Sequence, residues 1–221
     1  MKTELITNVS HDIKTPLTSI INYTELLKQE KLDNEKAEEY IGVLDKQAAR
    51  LKKLTEDIVE ASKASTGNLP VELRECSLGM ILNQALGEYE DKLLDAGLKP
   101  VVNIADDDIR IMADGRHLWR IIDNLLGNIC KYAQSGTRVY LDVYRVGNKA
   151  VMSFKNISKY ELNISADELM ERFVRGDESR NTEGSGLGLS IAGNLAALQG
   201  GELKLAIDGD LFKATVEFNV I

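Results

Sequence analysis

The sequence predicts a two-part protein, a helical hairpin that dimerises into a four-helix bundle, followed by an α+β sandwich. Two observations lead to this fold class. In the first sixty residues or so, apolar positions recur in steps of three and four, whereas later segments alternate between β-type runs and amphipathic helices. A turn-rich stretch separates the two patterns. We therefore expect a hairpin at 1–64, a linker at 65–70 and a mixed α/β unit at 71–221.

The hairpin is predicted from two apolar seams separated by the short polar segment 29–34. The first seam contains Ile6, Val9, Ile13, Pro16, Ile20, Tyr23 and Leu27, and the second contains Ala37, Ile41, Leu44, Ala48, Leu51, Thr55 and Ile58. A short loop between two long helices makes them antiparallel. One hairpin cannot enclose a core but two can, so we expect a homodimer.

The second part is predicted to contain seven strands and four helices. The strands are Val71–Cys76, Lys99–Ile104, Ile109–Met112, Arg138–Val146, Lys149–Asn156, Gly201–Ile207 and Phe212–Val220. The helices are Leu78–Ala96, Gly115–Ala133, Ala166–Arg172 and Leu187–Leu198. Because Gly147-Asn148 and Asp208-Gly209 are typical hairpin turns, we expect a sheet covered on one face by helices.

Composition excludes several classes of protein. The chain has 27 Lys and Arg against 35 Asp and Glu, a formal charge of −8, which argues against nucleic acid as the main partner. No apolar run approaches the roughly 18 residues of a membrane span. Two cysteines are too few for a disulfide framework.

One of the two histidines lies in a helical context that suits chemistry. When Ile6, Ile13 and Ile20 occupy heptad position a, His11 falls at f, opposite the seam. An exposed imidazole is largely neutral and nucleophilic at neutral pH. Asp12 can hold one ring nitrogen as N–H, and Thr15 lies on the same face at i+4. Taken alone, this pattern is more often a surface histidine.

Two later segments suit a nucleotide. In 124–132, NLLGNICKY, a helical stripe of Asn124, Asn128 and Lys131 offers amides for a hard cation and an ammonium for phosphate, although it could be a merely solvated face. In 183–191, EGSGLGLSI, a glycine-rich turn opens a helix whose N–H groups can bind an anion. Alone, such loops are usually simple turns.

Together these strings resemble one family over nearly the entire chain. Residues 5–17, LITNVSHDIKTPL, closely resemble the phosphoacceptor box of sensor histidine kinases, and NLLGNICKY resembles their N box. The glycine-rich segment resembles the G2 box of the Bergerat ATP-binding fold. Residues 171–180, ERFVRGDESR, resemble the F box and the start of the ATP lid.

The resemblance implies roles for individual residues. His11 would accept the γ-phosphoryl group, Asp12 would be the assisting base and Thr15 would serve phosphatase activity. ATP and Mg²⁺ would be the cofactors, with Asn128 as the metal ligand. The implied nucleotide-binding residues are Asn124, Asn128, Lys131, Tyr132, Asn156, Arg175, Arg180, Gly184, Gly186, Leu187, Gly188 and Leu189. For Arg175 and Arg180 the sequence leaves open whether they reach the phosphates or are solvated lid charges.

One position separates this chain from related ATPases, and one motif departs from the pattern of the kinase family. Related ATPases carry a water-activating Glu where this chain has Asn124, which favours phosphoryl transfer over hydrolysis. The family's G1 box, DxGxG, reads FKNIS at 154–158, with Asn156 at the Asp position and Ser158 at the first Gly. An Asn carbonyl oxygen still accepts one hydrogen bond, so we expect a loss of about 1 kcal/mol in nucleotide binding. The alternative is that adenine recognition is abolished.

The sequence therefore predicts the cytoplasmic catalytic core of a sensor histidine kinase whose parent is membrane-anchored. The phosphoryl group would pass to an aspartate of a response-regulator receiver domain docked near Leu17 and Ile20. One alternative is a kinase-impaired core that acts as a phosphatase or binding scaffold. Another, a standalone Bergerat ATPase, is disfavoured by Asn124 and the histidine hairpin.

Overall fold

The computed structural model describes residues 17–28, 35–105, 109–163, 165–170 and 186–221. The chain divides into two compact units, Met1–Asn68 and Leu69–Ile221. The division falls within the segment 65–70 that the sequence predicts as the linker. The predicted fold class, a helical region followed by an α/β sandwich, is confirmed, whereas dimerisation stays a prediction.

In the first unit, helix α1 (residues 17–28) is followed by the long helix α2 (Glu35–Ser65). The buried positions recur every seven residues, at Leu17 and Thr24 in α1 and at Ile41, Ala48 and Thr55 in α2. Polar threonines can occupy this line because each hydroxyl donates to a carbonyl of its own helix, 2.8 Å to Ile21 and 2.7 Å to Lys52. With each hydroxyl group hydrogen-bonded, the methyl group of each threonine can occupy the buried line.

The buried residues of α1, Leu17 and Thr24, are not members of the predicted first seam, so the first seam is not the line that α1 buries within the hairpin. In α2 the buried residues belong to the predicted second seam. Other seam positions form an exposed half-seam on the surface of the single hairpin. Ile20, Tyr23, Leu44 and Leu51 are 48%, 67%, 52% and 45% exposed. A pair of helices has one line of contact, so only alternate seam positions can be buried within it. Leu17 is 3% exposed and Ile20 is 48% exposed, so of these two residues only Ile20 is open on the surface of α1, and docking of a regulator near them stays a prediction.

Helix α2 ends in a glycine cap. The N–H of Gly67 donates to the carbonyl of Ala64 at 3.3 Å, and the N–H of Asn68 donates to that of Lys63 at 3.0 Å. Gly67 has φ = 70°, the left-handed conformation that this six-to-one motif requires. The hydrogen-bonded cap therefore extends to Asn68.

The second unit is built from seven strands and four helices among its described residues. They are β1 (Arg74–Ser77), α3 (Leu78–Asp95), β2 (Lys99–Ile104), β3 (Arg110–Ala113), α4 (Gly115–Tyr132), β4 (Arg138–Val146), β5 (Lys149–Ile157), α5 (Ala166–Met170), α6 (Gly188–Leu198), β6 (Glu202–Asp208) and β7 (Leu211–Asn219).

The main sheet has five strands in the order β2-β4-β5-β7-β6. The β2–β4 pair is parallel and the other three pairs are antiparallel. The two predicted hairpin turns join β4 to β5 and β6 to β7, and Gly147 and Gly209 take φ values of 58° and 56° there. One sheet face forms the core with the apolar sides of the helices. Its fully buried residues include Leu141, Phe154 and Phe218.

The predicted first strand is wrong at its beginning. It starts at Arg74 rather than Val71, and it pairs antiparallel with β3 in a separate two-stranded sheet. The segment ahead of it has other partners, because the N–H of Glu72 donates to the Asp114 carboxylate at 3.0 Å.

No helix of the described residues is both long enough and apolar enough to cross a bilayer. Cys76 and Cys130 are free thiols, each half-buried.

Candidate functional site

Helix α4 has an apolar face that is buried in the core, and a stripe of polar residues lies on its other side. The residues that it buries are Leu118, Ile121, Ile122, Leu125, Leu126 and Ile129. The helix starts at Asp114, whose side chain accepts the N–H of Arg116 at 3.0 Å as an N-cap. Asn124 and Asn128 are left half-buried and Lys131 exposed along the remaining face.

The two amides of this stripe meet the start of α6 at Gly188. The Nδ2 group of Asn124 donates to the Arg120 carbonyl at 2.9 Å, so its Oδ1 atom is the one that faces α6. A Cβ atom added to Gly188 would lie 3.2 Å from Asn124 Oδ1 and 3.7 Å from Asn128 Nδ2. Glycine is thus the residue that allows this close approach.

The beginning of α6 differs from the beginnings of α3 and α4. Those helices have side-chain caps, Ser77 and Asp114, whereas Leu187 at the N-cap of α6 provides no side-chain hydrogen bond. Gly186 takes φ = 68°, and Leu187 is 1% exposed and anchors the turn in the core. The first N–H groups of a helix have no intrahelical partner, and they carry the positive end of the helix dipole. An anion is the natural ligand for such groups.

The carboxyl end of α4 is joined by backbone bonds to the carboxyl end of β5. Gln134 donates to the Ile157 carbonyl at 2.8 Å, Lys159 donates to the Tyr132 carbonyl at 2.9 Å, and Ala133 and Ser158 form a β-bridge. These bonds bring Tyr132 and the end of the polar stripe close to the loop that follows Asn156.

Asn156 lies at the end of a central strand and is 4% exposed. It pairs with Phe212 of β7, and its Nδ2 group donates to the adjacent Ile157 carbonyl at 3.2 Å. Since the NH₂ group is used locally, the Oδ1 oxygen is the part of the amide that suits a donor on a ligand. Ser158 is 8% exposed, and its Oγ accepts the N–H of Tyr160 at 3.2 Å, which shapes the same loop.

Helix α4 is also held against α3 by a hydrogen-bonded network. This network was not predicted from the sequence. The Tyr89 hydroxyl donates to Asp123 Oδ1 at 2.6 Å, and Arg120 forms an ion pair with the same carboxylate at 3.2 Å. Burial, with the Asp123 carboxylate, raises the pKa of Tyr89 far above its ordinary value. Burial also raises the pKa of the Cys130 thiol, which lies on this side of the helix. The Tyr89 hydroxyl and the Cys130 thiol therefore stay protonated at neutral pH and have a structural role.

The structure thus brings together most of the residues that the sequence proposes for a nucleotide. It gathers them from the α4 stripe (Asn124, Asn128, Lys131 and Tyr132), the end of β5 (Asn156) and the start of α6 (Gly186 to Leu189). His11, Asp12, Thr15, Arg175, Arg180 and Gly184 lie outside the described residues.

Comparisons with known proteins divide the chain as the fold does. Residues 1–67 match the family model "His Kinase A (phospho-acceptor) domain", and residues 113–219 match "Histidine kinase-, DNA gyrase B-, and HSP90-like ATPase". The histidine protein kinase SaeS of Staphylococcus aureus strain USA300 is 34% identical over 218 residues. That match covers 95% of this chain and 61% of the relative, so the chain spans about three-fifths of the length of the curated relatives it matches.

Solved structures share the fold. Full-length ShkA in complex with AMPPNP superposes with a TM-score of 0.83 at 23% identity, over 98% of this chain and 46% of that chain. The histidine kinase AdeS of Acinetobacter baumannii gives a TM-score of 0.63 at 15% identity, over 95% of this chain and 97% of that chain.

Proposed function

The chain belongs to the sensor histidine kinases of two-component systems, and on that premise we propose that it is an ATP-dependent protein-histidine kinase core. It phosphorylates its own His11 and passes the phosphoryl group to an aspartate of a response-regulator receiver domain. The observation that carries the proposal is the convergence of Asn124 and Asn128 on the start of α6 at Gly188.

The residues present fit a magnesium–nucleotide. The α6 N–H groups suit phosphate oxygens, Lys131 adds a positive charge, and the Asn128 amide offers the oxygen that a hard cation prefers. Asn156 suits the adenine amino group through its Oδ1 atom. Mg²⁺, where bound, would neutralise phosphate charge, and Asn128 is the residue that would hold it. Arg175, Arg180 and Gly184 are proposed to complete the phosphate contacts on the strength of the motif.

The position of Asn124 favours transfer to a side chain over hydrolysis. Its Nδ2 donates to Arg120 and its Oδ1 faces Gly188, so the side chain is used in holding the site together. An amide has no basicity with which to activate water. Phosphoryl transfer depends mainly on positioning and charge neutralisation, so an acceptor brought in by another unit is sufficient.

The first unit contains the proposed phosphoryl acceptor and the surfaces proposed to bind the partner proteins. His11 is proposed as the nucleophile, Asp12 as its assisting base and Thr15 as the residue for phosphatase activity, each supported by the motif at 5–17. The exposed half-seam of the hairpin supports homodimerisation. Docking of the regulator on α1 is proposed on the strength of the family resemblance alone, since Ile20 belongs to the half-seam that is assigned to the dimer. We also propose that the core is cytoplasmic and its parent protein membrane-anchored.

Radiolabelled ATP tests the proposal directly. The wild-type chain should acquire label that is lost in acid and stable in base, as a phosphoramidate on histidine is. The His11→Ala variant should bind an ATP analogue as tightly as the wild type and acquire no label. Equal labelling of His11→Ala would show that the phosphoryl acceptor is wrongly assigned.

A second candidate function is favoured by Asn156 alone. A core that lacks the adenine-binding carboxylate could act on its regulator as a phosphatase or scaffold without kinase activity. Calorimetric titration of the folded dimer with a non-hydrolysable ATP analogue separates the two. Measurable binding supports the kinase, and a flat titration with an intact dimer supports the scaffold.

A further inference from the structure

Two side chains at the start of α4 hold the leading segment of the second unit. The Nε2 atom of His117 lies 3.0 Å from the Pro70 carbonyl oxygen. Because a carbonyl can only accept, Nε2 must carry the proton and donate. Two residues further along, the N–H of Glu72 donates to Asp114 Oδ2 at 3.0 Å. We call Asp114 and His117 together the clasp.

The clasp is fixed firmly to the framework of the nucleotide site. Asp114 is 2% exposed and accepts from both the backbone N–H and the guanidinium of Arg116, each at 3.0 Å. Its own N–H donates to Gln199 Oε1 at 2.7 Å, and Gln199 in turn donates to the Leu195 carbonyl in α6 at 2.8 Å. The same residue therefore joins α4, the end of α6 and the leading segment.

The clasp determines how much of the connection between the units is free. On the hairpin side, the α2 cap holds the chain through Asn68. On the other side, the clasp holds it from Pro70, so Leu69 alone lies between the two attachments. Without the clasp, the connection would run from Leu69 to Leu73, five residues before β1 begins at Arg74. At about 3.4 Å per extended residue, its maximum reach would rise from roughly 3 Å to roughly 17 Å.

We propose that the clasp, by keeping this connection short, positions the ATP-binding unit for phosphoryl transfer to the hairpin. The inference rests on the proposed function and adds a positioning role for Asp114 and His117, which do not touch the nucleotide.

Nucleotide binding and transfer should respond differently to loss of the clasp. Asn124 is ten residues along α4 from Asp114, about 15 Å at 1.5 Å per residue, so the nucleotide contacts stay in place. Transfer is an encounter between two linked units. Once a linker exceeds the length that matches the span between two sites, their effective concentration falls roughly as the three-halves power of linker length or more steeply. Freeing three residues in place of one lowers it about fivefold, and freeing five lowers it about tenfold.

Four variants of the full chain test this inference. In His117→Ala, Glu72 is still held, so three residues are free and the autophosphorylation kcat should fall about fivefold. In His117→Ala/Asp114→Ser, the serine still caps α4 but is too short to reach Glu72, so kcat should fall about tenfold. His117→Gln, whose amide can donate to Pro70, should restore kcat. Glu72→Ala keeps its backbone N–H and should match the wild type.

The KM for ATP, the dissociation constant for an ATP analogue and the melting temperature should stay near their wild-type values in the His117 variants. A kcat that is unchanged or higher, or a parallel loss of nucleotide affinity, would overturn the positioning role. Amide hydrogen exchange without nucleotide keeps the inference separable from the kinase assignment. Exchange in segment 69–73 should be faster in His117→Ala than in the wild type, whether or not the chain phosphorylates itself, and equal exchange would show that the clasp does not exist.

Discussion

Replacing Gly188 with alanine should weaken nucleotide binding without unfolding the protein. The new Cβ would lie 3.2 Å from Asn124 Oδ1, closer than an ordinary van der Waals contact, so the amide or the helix start must shift by a few tenths of an ångström. Asn124 is not free to give way, because its Nδ2 is bonded to the Arg120 carbonyl at 2.9 Å. The displacement therefore falls on the place where α4 and α6 converge.

The expected magnitude is that of one displaced hydrogen bond. A net contribution of about 1 kcal/mol corresponds to a roughly fivefold increase in the dissociation constant. The stability should change little, because alanine is favoured over glycine in a helix by up to about 1 kcal/mol, which offsets the local crowding. Calorimetric titration with an ATP analogue measures the first effect and thermal unfolding measures the second.

Gly87→Ala is the matched control. Gly87 lies within α3, and a Cβ added there would meet nothing within 4 Å. This variant should be more stable by about 1 kcal/mol and bind the nucleotide as the wild type does. If Gly188→Ala also binds as tightly as the wild type, the α6 start is not the phosphate site that the geometry indicates. Equal weakening by both variants would point to a general effect of helix stiffness instead.

Three further predictions concern other parts of the chain. Asp114→Asn keeps a competent cap but loses the charge that Arg116 and the Glu72 N–H stabilise, so it should cost about 1–2 kcal/mol of unfolding free energy at pH 7. Because Arg116 and these backbone bonds hold the pKa of Asp114 well below its ordinary value near 4, the difference from wild type should be constant above that pH and shrink as the pH falls below it. A difference that grows in acid would contradict this sign. Leu44→Glu places a charge in the exposed half-seam and should convert dimer to monomer in light-scattering measurements, whereas Lys53→Glu on the opposite side of α2 should not. Asn156→Asp places a carboxylate at the position proposed to bind the adenine amino group and should tighten nucleotide binding by a few-fold, and weaker binding would show that the buried site cannot tolerate the charge.

The strands and helices of the second unit could be predicted because each has one buried face and a clear terminator. Turn glycines at Gly147 and Gly209 and the apolar stripe of α4 mark their elements locally. The first strand could not be predicted correctly, since Val71–Leu73 is as β-like as the true strand. Within this segment the backbone N–H of Glu72 donates to the carboxylate of Asp114, which lies forty-two residues away in the sequence. An Asp just before an amphipathic helix is a visible cap signal, but its second partner is not visible.

The candidate site shows the same limit. Motif positions identified Asn124, Asn128 and Gly188 separately, and helical spacing put the two amides on one face. Their contact with Gly188 depends on the packing of α4 against α6, which no local pattern encodes. The Tyr89–Asp123 bond, which steadies the other side of α4, joins residues 34 apart and has no sequence signature.

In the hairpin, the sequence pattern shows which positions are apolar but does not show which of them are buried within one chain. Periodicity identifies the apolar positions but not the surface that covers each of them. Within one chain the covered line includes Thr24 and Thr55, while Ile20, Tyr23, Leu44 and Leu51 stay about half exposed or more. Burying the exposed part of each side chain is worth about 1 kcal/mol, so eight such groups in a dimer supply roughly 8 kcal/mol. That sum is comparable to the cost of bringing two chains together. These four residues can therefore stabilise a dimer only marginally by themselves. A tight dimer requires further apolar contacts, for which Leu27, a seam residue that is 43% exposed, and the seam positions before residue 17 are available.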